Sequence, residues 1–284
     1  MNDEADPTPP RDHFAHIVRD WAHFGPPLRP PAGDVAAMQR AIDTLGRAPR
    51  AVVLGLTPEI VGCDWPEGTE LSAVDHSPAM MRMLWPPMRA PANARAMLAN
   101  WCAMPMPDRS VDVVVGDGCY VVFGFPDGYR SLTREVHRIL RPSGRFVIRV
   151  FLRPDRRETL DRIVGDFEAA RISSVHALKI RLWAAMHGAN GPGTRPDDVR
   201  RAWLGFPPLP AGLAGRIGWT SEELETIESP RPPETRYFLP TLQEFREHMS
   251  PGFRELECHR DGGHELADLC PTFVFETTEA SPGD

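Results

Sequence analysis

Lysine is almost absent from this chain. Of 32 basic side chains only Lys179 is a lysine, a skew that fits a GC-rich codon bias, as do the 31 prolines. Long apolar runs are missing too. Nothing approaches the roughly 20 consecutive apolar residues of a membrane-spanning helix, so no membrane partner is expected. An excess of positive charge is also lacking: the net charge of −7 argues against a protein that lives on nucleic acid phosphates. The five cysteines, Cys63, Cys102, Cys119, Cys258 and Cys270, are odd in number and show no CxxC spacing. They read as free thiols in a reducing cytoplasm, with neither a metal site nor a disulfide framework. The opening MNDEADPTPP is acidic and proline-rich, the reverse of a signal peptide's basic and then apolar order. What is present is a 42% hydrophobic content over 284 residues, enough for one large domain or one domain with an elaborated insertion.

Residues 1–10 read as disordered, and Asp12–Phe24 as an amphipathic helix through Phe14, Ile17, Val18 and Trp21. Gly25–Pro31 is too rich in proline for a helix and reads as a stiff extended link. Asp34 is expected to cap a helix ending at Leu45 before Gly46. Ala51–Leu56 is a buried strand, followed by a tight turn, a short helix and a second strand, Leu71–Val74, closed by Asp75. Asp75 lies twenty positions after Gly55, the spacing at which a nucleotide-binding βαβ unit sets a carboxylate on a ribose. Ser77 caps the next helix with Pro78 at its first position, and Met80, Met81, Met83 and Leu84 form its apolar face. Strands follow at Ala94–Asn100, Ser110–Asp117 and Arg145–Leu152. A helix at Tyr129–Leu140, stopped by Arg141-Pro142-Ser143-Gly144, precedes the last of them. This alternation predicts an α/β fold with a doubly wound, mostly parallel sheet. Right-handed crossovers then bring Gly55–Glu59, Asp75, Asn100–Trp101 and Asp117 to one rim.

Over about residues 33–152 and again at 237–277 the chain resembles the class I S-adenosylmethionine-dependent methyltransferases. LGLTPE looks like a degenerate form of their glycine-rich first motif, with Gly55 kept and Thr57 and Glu59 at the next two glycine positions. AVDHS resembles the second motif, and MLANWCAMPMPDRSVDVVVGD the segment that closes over adenine. TREVHRILRPSGRFVIR resembles the helix, turn and fifth strand, and is the most specific of these matches. The resemblance implies a seven-stranded sheet with an antiparallel last strand and S-adenosyl-L-methionine as cofactor, with S-adenosyl-L-homocysteine as product. Asp75 would hold the ribose hydroxyls or cap the next helix through Ser77's turn, His76 would flank the adenine or stay a surface turn histidine, and Asn100 and Trp101 would meet the adenine or form a plain strand end. The N–H groups of Leu56, Thr57 and Glu59 would face the cofactor's carboxylate. Glu59 either pairs with the cofactor's ammonium or is a solvated acid at a helix start. Asp117 and Gly118 would lie where the methyl emerges, Asp117 as general base or amino-group ligand and Tyr120 lining the reaction site; a plain strand-end turn is the competing reading.

Methyl transfer is an in-line displacement at an activated carbon. Alignment is therefore the enzyme's main task, and a base is needed only where the acceptor must lose a proton. No Asp/Asn-Pro-Pro-aromatic motif follows the fourth strand, no Pro-Cys nucleophile occurs, and no catechol-type magnesium set is visible. A small-molecule acceptor through oxygen, nitrogen or sulfur is the expectation. A protein or peptide methyltransferase, or a catalytically silent binding module on the same fold, are the alternatives. The expected organisation is a tail, helix and link (1–32), a cofactor-binding core (33–152), a helical cap (153–236), a last helix and strand hairpin (237–277) and a tail (278–284). In the cap, His176, Lys179 and Trp183 recur at one helical face, as a substrate-binding stripe or as one that meets water. His264, in the final hairpin's loop, is expected to reach the same rim. A monomer or homodimer is expected.

Overall fold

A computed structural model describes residues 18, 20–85, 89–189, 191–208, 218–228 and 234–279. Its centre is a seven-stranded sheet in the order β3-β2-β1-β4-β5-β7-β6. The strands are β1 (Arg50–Leu54), β2 (Glu70–Asp75), β3 (Arg95–Leu98), β4 (Val111–Asp117), β5 (Leu140–Arg149), β6 (Phe253–His259) and β7 (Thr272–Thr277). The first five are mutually parallel, and β7 runs antiparallel to both β5 and β6. Helix α1 (Ala32–Asp43) precedes β1, while α2 (Pro58–Val61), α3 (Pro78–Leu84) and α4 (Asp127–Ile139) follow β1, β2 and β4. The cap follows with α5 (Leu160–Glu168), α6 (Val175–Met186), α7 (Pro196–Leu204) and α8 (Ser221–Glu228); α9 (Leu242–Met249) precedes β6. None of these helices is long and apolar enough to cross a membrane.

The period of two in strand side chains divides the core. Val52, Leu54, Val114, Phe146 and Ile148 face the layer of α4 and α9, where Leu132, Val136 and Phe245 are fully buried. Ala51, Val53, Val113, Val115 and Val147 face the opposite layer, with Met38 of α1 and Ile60 of α2. Because both faces are covered, β4 reads as an uninterrupted apolar run in which polar residues are confined to Asp112 and the terminal Asp117. A third apolar cluster, around Ile163, Leu178, Trp183 and Trp203, belongs to the cap and takes in Phe151, Leu239 and Cys270 from the core.

Several expectations are corrected. The link at 25–31 is not extended: it folds into turns, with the Arg29 N–H donating to Gly25 O at 3.1 Å. Asp34 does not cap α1, which starts two residues earlier with Pro31 at its cap position; Asp34 is instead buried in the helix's first turn. The Arg141–Gly144 turn does not separate helix from strand. It bulges within β5, which begins at Leu140, and pairing with β4 jumps from Leu140 to Arg145. Of the helix expected at 12–24, residues 12–17 and 19 lie outside the described residues, and Trp21–His23 forms a single 3-10 turn. The tail at 1–10 and the residues after 279 likewise lie outside them.

Candidate active site

The strand order reverses between β1 and β4, and ligands in open α/β sheets bind at the carboxyl ends flanking such a point. At the end of β1, Gly55 adopts φ +89°, a backbone shape that side-chain-bearing residues rarely take. Its N–H donates to Val74 O at 2.7 Å, tying the turn to β2. At the end of β2, Asp75 is only 2% exposed. Its Oδ1 accepts the Ser77 N–H at 2.8 Å, and Ser77 Oγ in turn accepts the Met80 N–H at 3.3 Å, capping α3. No ion pair involves Asp75 among the described residues. Burial pushes its carboxyl up from 3.8 to about 6, with the N–H groups of Ser77 and His76 opposing the rise. Asp75 is therefore a charged acceptor held at a cost.

Trp101 closes the adjoining side. Its indole Nε1 donates to Val74 O at 2.6 Å, and its ring edge would lie 3.5 Å from a Cβ placed on Gly55. Asp117, at the end of β4, accepts from Arg149 Nε at 2.6 Å. Burial raises its carboxyl, and the charge and hydrogen bond of Arg149 work against that rise. Arg149 is fully buried, donates from Nη1 to Pro27 O at 2.8 Å and has Asp34 Oδ2 at 3.5 Å. One guanidinium thus clamps β5, β4, α1 and the N-terminal link. Gly118 takes φ +63°, and a Cβ there would meet Phe151 at 2.8 Å.

These strand ends open onto a cavity of about 190 Å³. Gly55, Leu56, Thr57, Asp75, Trp101, Asp117 and Gly118 form its strand side; Lys179, Trp183, Val199, Thr226 and Tyr237 form the cap side. Trp21, Phe24, Leu28 and Arg29, from the residues before α1, complete the wall. Arg29 stands on the Trp21 ring at 5.0 Å and donates to Glu59 Oε1 at 2.8 Å, while Glu59 Oε2 is buried with no hydrogen bond.

Seven of the expected site residues do not line this cavity. The Tyr120 hydroxyl is hydrogen-bonded to Thr133 Oγ1 at 2.7 Å, and its ring packs on Tyr129 and Phe245 in the core, so it does not line a reaction site. Cys119, Val121 and Val122 of the same 3-10 turn line the cavity, whereas Tyr120 packs into the layer of α4 and α9. Asn100 spends its Oδ1 on the N–H of Cys102, closing a turn. His76 stands edge-on to Trp101, and Ser77 is occupied as a cap. Glu59, in the first turn of α2, is part-buried and turned to Arg29, and it does not line the cavity. His176 is 1% exposed against Phe24, and burial, then Lys179, pushes it down to about 4. His264 stands 3.5 Å from Asp34 and does not reach the cavity. The reading of a cap stripe facing water is also corrected: His176, Lys179 and Trp183 are all buried.

Sequence reasoning missed Arg149 and Arg29. A charged residue inside the apolar run FVIRVF was a usable sign for the first; nothing in the proline-rich link distinguished Arg29.

A switch-point cavity with a buried acid after β2, on a sheet whose seventh strand runs antiparallel between β5 and β6, defines a Rossmann-like α/β protein of methyltransferase topology. Residues 59–148 match the family model described as a methyltransferase domain, beginning just after the Gly55 turn. Among solved structures, the chain is similar to the CcbJ methyltransferase from Streptomyces caelestis, with a TM-score of 0.54 and 16% identity over 96% of this chain and 99% of that one. A Haloferax volcanii chain in complex with the Trm112 methyltransferase activator gives 0.53 and 14% over 96% and 98%. A Rhodobacter sphaeroides chain bearing the name of a zinc-dependent alcohol dehydrogenase gives 0.58 and 13% over 94% and 98%. These likenesses concern the fold, and among the described residues no cluster of His, Cys, Asp or Glu is arranged to hold a metal ion. A comparison with curated proteins gives no match. Over residues 59–148 the chain is thus similar to the methyltransferase domain family, and its sheet has the methyltransferase fold.

The residues fit S-adenosylmethionine, the cofactor that this fold implies. A buried carboxylate without an ion pair suits two ribose hydroxyls, the Gly55 turn leaves room for close backbone approach, and the orphaned Glu59 oxygen suits an ammonium.

Proposed function

We propose that this protein methylates a small molecule on oxygen, nitrogen or sulfur. The carrying observation is that the cofactor edge and the cap close on one cavity: Asp75 and Trp101 line it from the strand ends, Lys179 and Trp183 from α6. A chamber roofed in this way suits a compact acceptor better than a polypeptide chain.

Bound there, S-adenosylmethionine would supply a methyl group already activated by its sulfonium. The chain's part is to hold and align. Asp75 accepts the ribose hydroxyls, and Trp101 presents an aromatic edge to the adenine. The backbone of Leu56 and Thr57, with the Arg29–Glu59 pair, receives the amino-acid end: guanidinium toward carboxylate, carboxylate toward ammonium. Asp117 acts as an anchor. Its Oδ1 is held by the buried Arg149 guanidinium, which fixes the carboxylate at the end of β4. Phe151, Trp183 and Tyr237 exclude water. The cavity is smaller than the roughly 300–1,000 Å³ of sites that bury drug-sized ligands, so admitting cofactor and acceptor together requires the roof to move outward. We place the protein in the cytoplasm, as five cysteines, an odd number without CxxC spacing, suit a reducing compartment.

Calorimetry with S-adenosylhomocysteine tests the cofactor side, and methyl transfer to a panel of small acids, phenols, amines and thiols tests the acceptor side. No binding well above micromolar concentration would defeat the proposal. Binding with transfer only to peptides would move the reading to a protein methyltransferase.

A further inference from the structure

Away from the cofactor edge, the cavity wall is built largely from rings. Trp21 and Phe24 enter it from the link, Phe151 from just after β5, Trp183 from α6 and Tyr237 from the residues before α9. Trp183 packs on Tyr237 with ring centroids 4.5 Å apart, and Phe151 meets Trp183 edge-on at 6.4 Å. Phe151 also lies against Gly118, where an added Cβ would stand 2.8 Å from its ring. The aromatic surface therefore runs from the end of β4 up into the cap.

Backbone contacts hold the ring pair in place. The Thr194 N–H donates to Tyr237 O at 2.7 Å, the Tyr237 N–H donates to Thr194 O at 2.9 Å, and Thr194 Oγ1 donates to Trp183 O at 2.7 Å. One buried threonine thus ties both ring-bearing backbones together, so the pair needs little ordering when a ligand arrives. The charged side chains of this half are already engaged. Arg29 donates to Glu59 Oε1 at 2.8 Å. Lys179 donates to Thr226 Oγ1 at 3.0 Å and to Thr226 O at 3.3 Å, and that hydroxyl donates to Glu223 O at 2.6 Å. A charged acceptor would have to shed its water among rings and aliphatic side chains, and compete for groups that have partners. An uncharged ring gains on leaving water and makes the stacked and edge contacts that aromatic pairs prefer.

Resting on the methyltransferase reading above, we infer that the acceptor is a small, uncharged, planar aromatic compound, and that the Trp183–Tyr237 pair, with Phe151 beside it, is the surface that selects it.

The test uses the full chain saturated with S-adenosylhomocysteine and titrated calorimetrically at neutral pH. The ligands are 4-propylphenol, its cationic counterpart tyramine, its ring-saturated counterpart 4-propylcyclohexanol, and the pair 4-hydroxyphenylacetamide and 4-hydroxyphenylacetate. The uncharged member should bind at least about tenfold more tightly than its charged counterpart, since burying a charge costs more than burying the matching neutral group. 4-Propylphenol should bind at least about threefold more tightly than the saturated alcohol, the scale of aromatic contacts beyond area alone. Trp183→Leu should remove most of this preference for the flat ring. It should bind S-adenosylhomocysteine within about twofold of the unaltered protein, because Trp183 stands on the cap side. The ratios on the unaltered protein stand even if the variant fails to fold. Equal or tighter binding of the charged members, equal binding of flat and saturated rings, an undiminished ring preference in Trp183→Leu, or no binding of 4-propylphenol at millimolar concentration would each overturn the inference. If S-adenosylhomocysteine itself fails to bind the unaltered protein, the cofactor reading falls and the inference with it; if it binds and these preferences are missing, only the inference falls.

Discussion

Replacing Asp75 by Asn separates what this residue costs the fold from what it does for the ligand. Its carboxyl titrates at about 6 in the folded protein against 3.8 in the open chain, because burial disfavours the charge. At 1.36 kcal/mol per pH unit, keeping the ionised form above that pH costs about 3 kcal/mol, an upper figure. The folded state binds the proton more tightly than the unfolded chain does. The penalty is therefore absent below pH 4, grows as pH rises from 4 to 6, and is complete above 6. An asparagine Oδ1 can still accept the Ser77 N–H, so the α3 turn survives. Asp75→Asn should thus raise the unfolding free energy by about 1–3 kcal/mol at pH 7.5 and by only about a third as much at pH 4.5, measured by urea denaturation at both values. The same change should weaken S-adenosylhomocysteine binding by about 1.5–3 kcal/mol, since the ribose hydroxyls lose an ionised acceptor. Destabilisation at pH 7.5 would mean that the carboxylate is internally compensated and the burial argument is wrong. An unchanged affinity would remove Asp75 from the site.

In the unaltered protein, S-adenosylhomocysteine affinity should fall about tenfold per pH unit below 6 and level off above it, because binding needs the ionised Asp75; a flat calorimetric profile between pH 5 and 7 would contradict this. Arg149→Met strands the buried Asp117 charge and should cost about 3–5 kcal/mol in a denaturant titration, with much of the loss recovered by adding Asp117→Asn. Arg29→Met should weaken S-adenosylhomocysteine by about tenfold or more and leave 5′-methylthioadenosine, which has no amino-acid end, unchanged. Equal effects on the two ligands would place Arg29 outside that end of the site. Gly118→Ala adds a Cβ 2.8 Å from Phe151 at a left-handed φ and should lower stability by about 1–3 kcal/mol, read from the thermal midpoint.

Local information was enough for what depends on neighbours in sequence. The period-two pattern located β1 to β5 within a few residues. Ser77, for instance, caps α3 with Pro78 at its first position, as a local signal alone predicts. The spacing from Gly55 to Asp75 marked two cavity residues because a βαβ unit has a nearly constant geometry. Short-range chemistry misled where a polar group had two possible partners. Asn100 and Asp34 looked available, but one closes its own turn and the other is buried beside Arg149.

The sequence by itself determined the sheet, the order of its layers and the acid at the end of β2, since each follows from periodicity and from crossover handedness. Only the tertiary structure decided which polar groups face the cavity. Arg149 meets Asp117 across 32 positions and Pro27 across 122, and Arg29 meets Glu59 across 30. Long-range contacts set a side chain's role here: Tyr120 and Lys179 are both buried, yet the phenol ends on Thr133 in the core and the ammonium in the cavity roof. That choice depends on contacts between distant segments, which no local pattern encodes.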